Sequence, residues 1–317
     1  MRGALIVGIG HYPFGKLNGS VNDANNMAAV LLKDEFGKRN FDIDLMVSEE
    51  TTINITQKSL RRKLEKLFST NSEVALFYFS GHGTENNLGG YIVPQDAEKY
   101  NEGISVHEIL QFANDSNARD KIIILDSCHS GHMGNTPIIK NDVALLRKGV
   151  SILTSSNSKE KSFESGNGSI FTTLLIQALQ GGAADVLGKV SIPSVYSYLD
   201  QGLSFFQQRP LFKSHVSSLV SIRDCRPAVE IDTLQKIVEY FPNDDLDFAL
   251  NPSFEPTVKD HDPDNAKILS HLQKFRDARL LIPVGADHMY DACMDYKYCR
   301  LTQQGRYYWY LVKNNLI

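Results

Sequence analysis

The chain has 317 residues, with 33 basic and 37 acidic side chains (net −4), 42% hydrophobic and 22% charged residues. This is ordinary globular usage, which excludes bulk disorder and fibrous repeats. The slightly acidic balance also gives no general attraction to phosphate backbones or anionic membrane surfaces. At ~150 residues per domain, the length implies about two domains.

No run approaches the ~18 apolar residues of a spanning helix. Glycines break the apolar opening over 1–10, which is also short for a secretory signal. Cys128, Cys225, Cys293 and Cys299 are too few and too scattered for a disulfide framework. A cytoplasmic, reducing location without membrane contact is expected.

In chain order, strands are predicted at 4–9, 44–47, 74–79, 122–125 and 150–153. Leu76-Phe77-Tyr78-Phe79 and Ile122-Ile123-Ile124-Leu125 are continuously apolar rather than alternating, as in strands buried on both faces of a parallel sheet. Between them, amphipathic helices are predicted at 23–36, with Asn22 or Asp23 as cap, and at 57–68, 106–113 and 170–179. This alternation implies an α/β domain over 1–225, an open, mostly parallel sheet with helices on both faces.

Residues 229–266 hold ten acidic and two basic side chains and four prolines, so 226–265 is expected to be an acidic connector. A small basic domain over 266–317 should follow, with a helix at 266–281 and the run Tyr307-Tyr308-Trp309-Tyr310 as a packed strand.

In open α/β sheets the reactive crevice lies beyond the carboxyl ends of the strands. One strand runs into Ser80-Gly81-His82-Gly83 and another into Asp126-Ser127-Cys128-His129-Ser130-Gly131. Adjacent tips would bring His82 and Cys128 together across 46 residues of sequence. A free thiol with pKa ~8.5 is mostly protonated at neutral pH, and a nearby imidazole makes or stabilises its thiolate. The backbone N–H groups of Gly83 and Cys128 are candidate oxyanion donors. His82, Cys128, His129 and His132 also have the ligand types of a zinc site, but no second cysteine pair completes one.

At these residues the chain resembles the caspase-like cysteine peptidases, nearer to metacaspases and bacterial caspase homologues than to animal caspases. The resemblance covers about residues 3–222. It is carried by Ala4-Leu5-Ile6-Val7-Gly8-Ile9-Gly10, Leu17-Asn18-Gly19-Ser20-Val21-Asn22-Asp23-Ala24 and Phe77-Tyr78-Phe79-Ser80-Gly81-His82-Gly83, then by the Asp126–Gly131 run and Gly168-Ser169-Ile170-Phe171-Thr172. Asp126-Ser127 stands where animal caspases carry Gln-Ala. The resemblance implies a Cys128–His82 dyad and an acidic pocket, formed by Asp23 and Asp126, for Arg or Lys before the scissile bond. Two carboxylates in a partly dehydrated pocket favour a guanidinium and repel an acidic side chain.

The resemblance further implies protein substrates and no cofactor. Relatives often need Ca²⁺, but no calcium loop motif is present. A loop over 132–148 with Lys140, Arg147 and Lys148 occupies the place of a maturation linker, or is a solvated surface loop. The C-terminal region is similar to a winged-helix unit, for which a sensor role is expected. Asp287, Asp291 and Asp295 in its candidate reading helix, near 288–298, argue against nucleic acid. Bacterial homologues include antiphage effectors switched on by nucleotides such as cyclic ADP-ribose isomers from TIR-domain partners. A catalytically silent caspase-fold adaptor and a DNA-binding regulator are the alternatives.

Overall fold

The computed structural model describes residues 1–86, 89–98, 101–128, 145–155, 168–204 and 209–317. It divides into one unit of residues 1–184 and 189–225 and a second of 185–188 and 226–317.

In the first unit, β1 (Arg2–Gly8) leads through a small hairpin, β2 (His11–Tyr12) and β3 (Gly15–Lys16), to α1 (Ser20–Leu32) and β4 (Asp42–Val47). There follow α2 (Gln57–Ser69), β5 (Val74–Asn86), β6 (Gly89–Ile92), β7 (Ile104–Ser105), α3 (Val106–Asp115), β8 (Asp120–Cys128) and β9 (Val150–Thr154). The unit ends with α4 (Ile170–Gln177), β10 (Lys189–Ser191), α5 (Ile192–Ser204), β11 (Leu211–His215) and β12 (Ser221–Asp224). The main sheet has the order β11-β9-β8-β5-β1-β4, with β6 and β7 attached to the far end of β5. Its ladders are parallel except for β11 on β9 and the β6–β7 extension.

Continuous apolarity places this sheet between two helix layers. Val74, Leu76 and Tyr78 of β5 pack with Met27 and Leu31 of α1 and Leu175 of α4. The intervening Ala75, Phe77 and Phe79 pack on the opposite face with Leu60 and Leu64 of α2 and Ile109 of α3. Each fully buried large side chain of this kind stabilises the fold by about 1.5–3 kcal/mol.

Two local expectations change. Neither Asn22 nor Asp23 caps α1, because Gly19 occupies the N-cap position at φ 111°, a backbone that suits glycine. The expected helix over 170–179 ends at Gln177 and continues as a wide turn over Ala178–Gly182.

The second unit has its own core. The 226–265 stretch is not a connector: Val229, Leu234, Ile237, Phe241, Leu250 and Phe254 are buried in it with Leu269, Leu272 and Phe275. Two single-turn helices, α6 (Ile231–Leu234) and α7 (Ile237–Tyr240), and β13 (Phe248–Ala249) arise within that stretch, so its apolar residues outweigh its acidity. The rest is α8 (Pro263–Asp277), β14 (Leu281–Val284), α9 (Met289–Met294), β15 (Tyr298–Leu301) and α10 (Gln303–Lys313), with a β13-β15-β14 sheet.

The aromatic run Tyr307–Tyr310 lies in α10 and not in a strand. The Thr302 side chain caps that helix by accepting from the Gly305 N–H at 3.0 Å. Tyr308 and Val312, four apart, then face the core, so local capping and burial override the strand preference of aromatic residues. A helix therefore stands where a winged-helix unit would place a wing strand.

In the first unit, the β2–β3 hairpin is fixed through buried Gln95. Its Oε1 accepts from the N–H groups of Asn54 (3.1 Å) and Ile55 (2.9 Å), and its Nε2 donates to the His11 carbonyl at 2.7 Å. Gln95→Ala would strand these groups and is expected to cost roughly 2–3 kcal/mol. Urea unfolding should show a lower midpoint at unchanged slope.

Candidate active site

The chain passes from β1 outward to β4, then back across β1 to β5, so the strand order reverses between β1 and β5. Crevices beyond the carboxyl ends of the strands at such a reversal are where open α/β sheets take ligands. The β1–β5 ladder ends at Gly8–Ser80, and β5 runs on alone past that point. On one flank its ladder with β8 reaches the pair His82–Cys128. Adjacent strands lie ~4.8 Å apart, so these two backbone positions are one strand spacing apart. On the other flank β6 takes the place β1 vacates, with Gly83 opposite Ile92.

The hairpin secures the histidine. The Tyr12 hydroxyl accepts from the His82 N–H at 2.9 Å and donates to the Val93 carbonyl at 3.1 Å. Its ring centroid lies 4.8 Å from the imidazole, and that of Phe14 lies 5.7 Å away. Gly81 makes this approach possible, since a Cβ there would meet Tyr12 Oη at 2.7 Å. The His82 carbonyl accepts from the Val93 N–H on the β6 flank at 3.0 Å. Across a trans peptide the next N–H points the opposite way, so Gly83 turns its N–H toward the β8 flank.

Asp23 and Asp126 meet at the first turn of α4. Asp23 is buried, and its carboxylate accepts from the Ser169 N–H at 3.1 and 3.3 Å. Asp126 accepts from Thr172 Oγ1 at 2.7 Å, and the side chains of Ser169 and Ser155 also favour its ionised form. Thr172, its proton committed to Asp126, receives the hydroxyl of Tyr78 at 2.6 Å. Burial pushes the Asp126 carboxyl above its ordinary range, against the lowering pull of these hydroxyls. Burial and the two carboxylates push the Tyr78 phenol well up.

Tyr12, Tyr78, Ser169 and Thr172 were not singled out from the sequence as functional residues. Tyr78 sits in an apolar strand and Thr172 in an apolar helix, where composition gives no sign of a polar network. The His-Tyr-Pro-Phe run after the first strand was the available signal for Tyr12.

The remaining cysteines are poor nucleophiles. Cys225 is buried with its thiol directed to the Leu179 carbonyl, and burial raises its pKa. Burial likewise lifts Cys293 to about 11 and Cys299 to about 12. His129, His132 and the 132–144 part of the expected linker, Lys140 included, lie outside the described residues. At the end of that linker Arg147 bonds Asp115 at 3.1 Å, and the Lys148 carbonyl accepts from Lys121 at 2.8 Å. Among the described residues, no group of three or more His, Cys, Asp or Glu could hold a metal, and no helix is long and apolar enough to cross a membrane.

Tyr12→Phe removes the hydroxyl shared by His82 and Val93. It is expected to cost about 1–3 kcal/mol and to accelerate amide hydrogen exchange at His82. Unchanged exchange there would show that the histidine strand is held by other means.

Among curated proteins, none matches the chain. Among solved structures, it is similar to drICE, with 18% identity over 71% of this chain and 90% of that one and a TM-score of 0.43. It is also similar to caspase-1 from Spodoptera frugiperda, with 14% identity over 70% and 92% and a TM-score of 0.47. The pro-sf-caspase-1 structure gives 15% identity over 71% and 94% and a TM-score of 0.42. The sequence profile of the caspase domain, a peptidase family, matches residues 1–220. With a matching profile over more than two-thirds of its length, the chain belongs to the caspase-domain cysteine peptidases.

Proposed function

We propose that this peptidase is a cytoplasmic endopeptidase that cleaves proteins after Arg or Lys, with Cys128 as nucleophile and His82 as its acid–base partner. The observation that carries the dyad is the ladder pairing of His82 with Cys128 at the open end of the sheet. The Cys128 thiolate attacks the substrate carbonyl, a C–S bond forms, and the carbonyl electron pair moves to oxygen beside the Gly83 and Cys128 N–H groups. As the intermediate collapses, the C–N bond breaks and the His82 imidazolium gives its proton to the leaving amine. Water, deprotonated by His82, then attacks the thioester and releases the thiolate. The cytoplasmic assignment is supported by the free Cys225, Cys293 and Cys299 thiols.

Specificity for Arg or Lys is supported by Asp126, a carboxylate that accepts from the Thr172 hydroxyl and whose charge burial disfavours. A substrate cation supplies a counter-charge. The sign of the pH effect follows. The folded pKa of Asp126 lies above the unfolded one, so this group's contribution to stability is fully present below the unfolded value and is lost as pH rises through the folded value. Selection for Arg runs the other way, because it needs the ionised form.

Quenched peptides with Arg, Lys or Asp before the scissile bond test both points across pH 4.5–8. Wild type should prefer Arg and Lys, with KM rising as pH falls, and Cys128→Ala should cleave none of them. Asp126→Asn should lose at least tenfold in kcat/KM for Arg while gaining relative stability toward higher pH. Preference for Asp would overturn the specificity, and failure of wild type to cleave any peptide both with and without a cyclic ADP-ribose isomer would favour the adaptor alternative.

Control is assigned to the second unit, on the support of its separate core and its lack of any dyad or pocket residue. The proposed signal is a nucleotide such as a cyclic ADP-ribose isomer from a TIR-domain partner, in defence against phage. A cyclic ADP-ribose isomer should raise the melting temperature of the full chain. No shift with any isomer would remove this signal.

A further inference from the structure

A cavity of about 370 Å³ opens beside His82, lined by Phe14, Val93, Ala97, Glu98 and Glu102 along with His82 and Gly83. It shares no lining residue with the cavity that contains Asp23. Because β6 replaces β1 beside the end of β5, the cavity lies on the β6 flank of His82, and Cys128 lies in register on the β8 flank. In the acyl-transfer step the acyl half of the substrate stays on Cys128, and the amine half departs past the histidine that protonates it. The cavity is therefore on the leaving side of the scissile bond.

Its lining has two parts. Phe14, 60% exposed although a large aromatic, forms an apolar wall with Val93 and Ala97. Glu98 and Glu102 add two carboxylates that make no ion pair among the described residues. Glu98 is fixed by a reciprocal pair of backbone hydrogen bonds with Asn101, at 3.1 and 2.9 Å. An apolar wall with an unpaired anionic rim suits a side chain that has a long aliphatic stem and a cationic head.

We propose that this cavity is the subsite for the residue immediately after the scissile bond, and that it selects Lys or Arg there over Glu or Asp. The proposal rests on the peptidase reading above and adds a second, independent acidic subsite to it. Arg-Lys and Lys-Lys pairs become preferred cleavage points, and an acidic residue after Arg becomes a poor one.

The test has two arms. In the first, quenched peptides of the form Arg-Xaa, with Xaa as Lys, Leu or Glu, are compared by kcat/KM. In the second, fluorescent leaving-side peptides that begin with Lys or Glu are titrated into the full-length Cys128→Ala protein. Both arms should favour Lys over Glu by about tenfold. The preference should collapse in a Glu98→Gln/Glu102→Gln background and reverse with Glu98→Lys, with melting temperature as the control for folding. Equal binding of the two peptides, or a preference that survives the double substitution, would overturn the subsite. Intact binding discrimination with no cleavage by wild type, with or without a cyclic ADP-ribose isomer, would overturn the peptidase reading instead.

Discussion

The site depends on the length by which β5 outruns β1. Up to Ser80 the strand has a parallel neighbour on each side, and after it the β1 side is taken by β6 running the other way. The Tyr12 hydroxyl fills the junction, because the His82 N–H and the Val93 carbonyl share it rather than bonding each other. That substitution of a phenol for a direct strand bond sets the histidine at the mouth of the reversal in strand order. It also fixes the direction of the next peptide, and so of the Gly83 N–H.

Strand tips and helix layers were legible in the sequence because each leaves a local trace, whereas the two acidic positions were reached through the family resemblance alone. Continuous apolar runs mark doubly buried strands, and the Gly-His-Gly and Asp-Ser-Cys motifs follow them directly. What brings Asp23 to Asp126 was not legible. Asp23 looks like a helix cap in its own sequence context, whereas its carboxylate serves the first turn of α4, 146 residues onward. The close pass of Gly19 against Gly168, where a Cβ on Gly19 would lie 2.9 Å from Gly168 Cα, makes that meeting possible. Such a contact belongs to the tertiary fold and has no periodicity to betray it.

The second unit shows the opposite failure, where a strong composition signal misled. Acidity and prolines over 226–265 have the look of a linker, but six well-spaced apolar residues build a core from it. The prolines sit where they help: Pro252 and Pro263 open helical turns behind the side-chain caps Asn251 and Asp262. Aromatic density at 307–310 likewise pointed to a strand, and the Thr302 cap decided for the helix.

The short stretch between the undescribed 129–144 segment and β9 is tied to several parts of the body. Asn114 binds the Leu145 carbonyl and the Arg147 N–H, His215 contacts the Leu146 carbonyl, and Lys121 holds the Lys148 carbonyl. Beyond it, β9 lies between β8 and β11 within one sheet. A single backbone break upstream of Leu145 would thus yield two polypeptides that remain one particle. Such a nick would pass unseen in size-exclusion chromatography and would emerge only after denaturation.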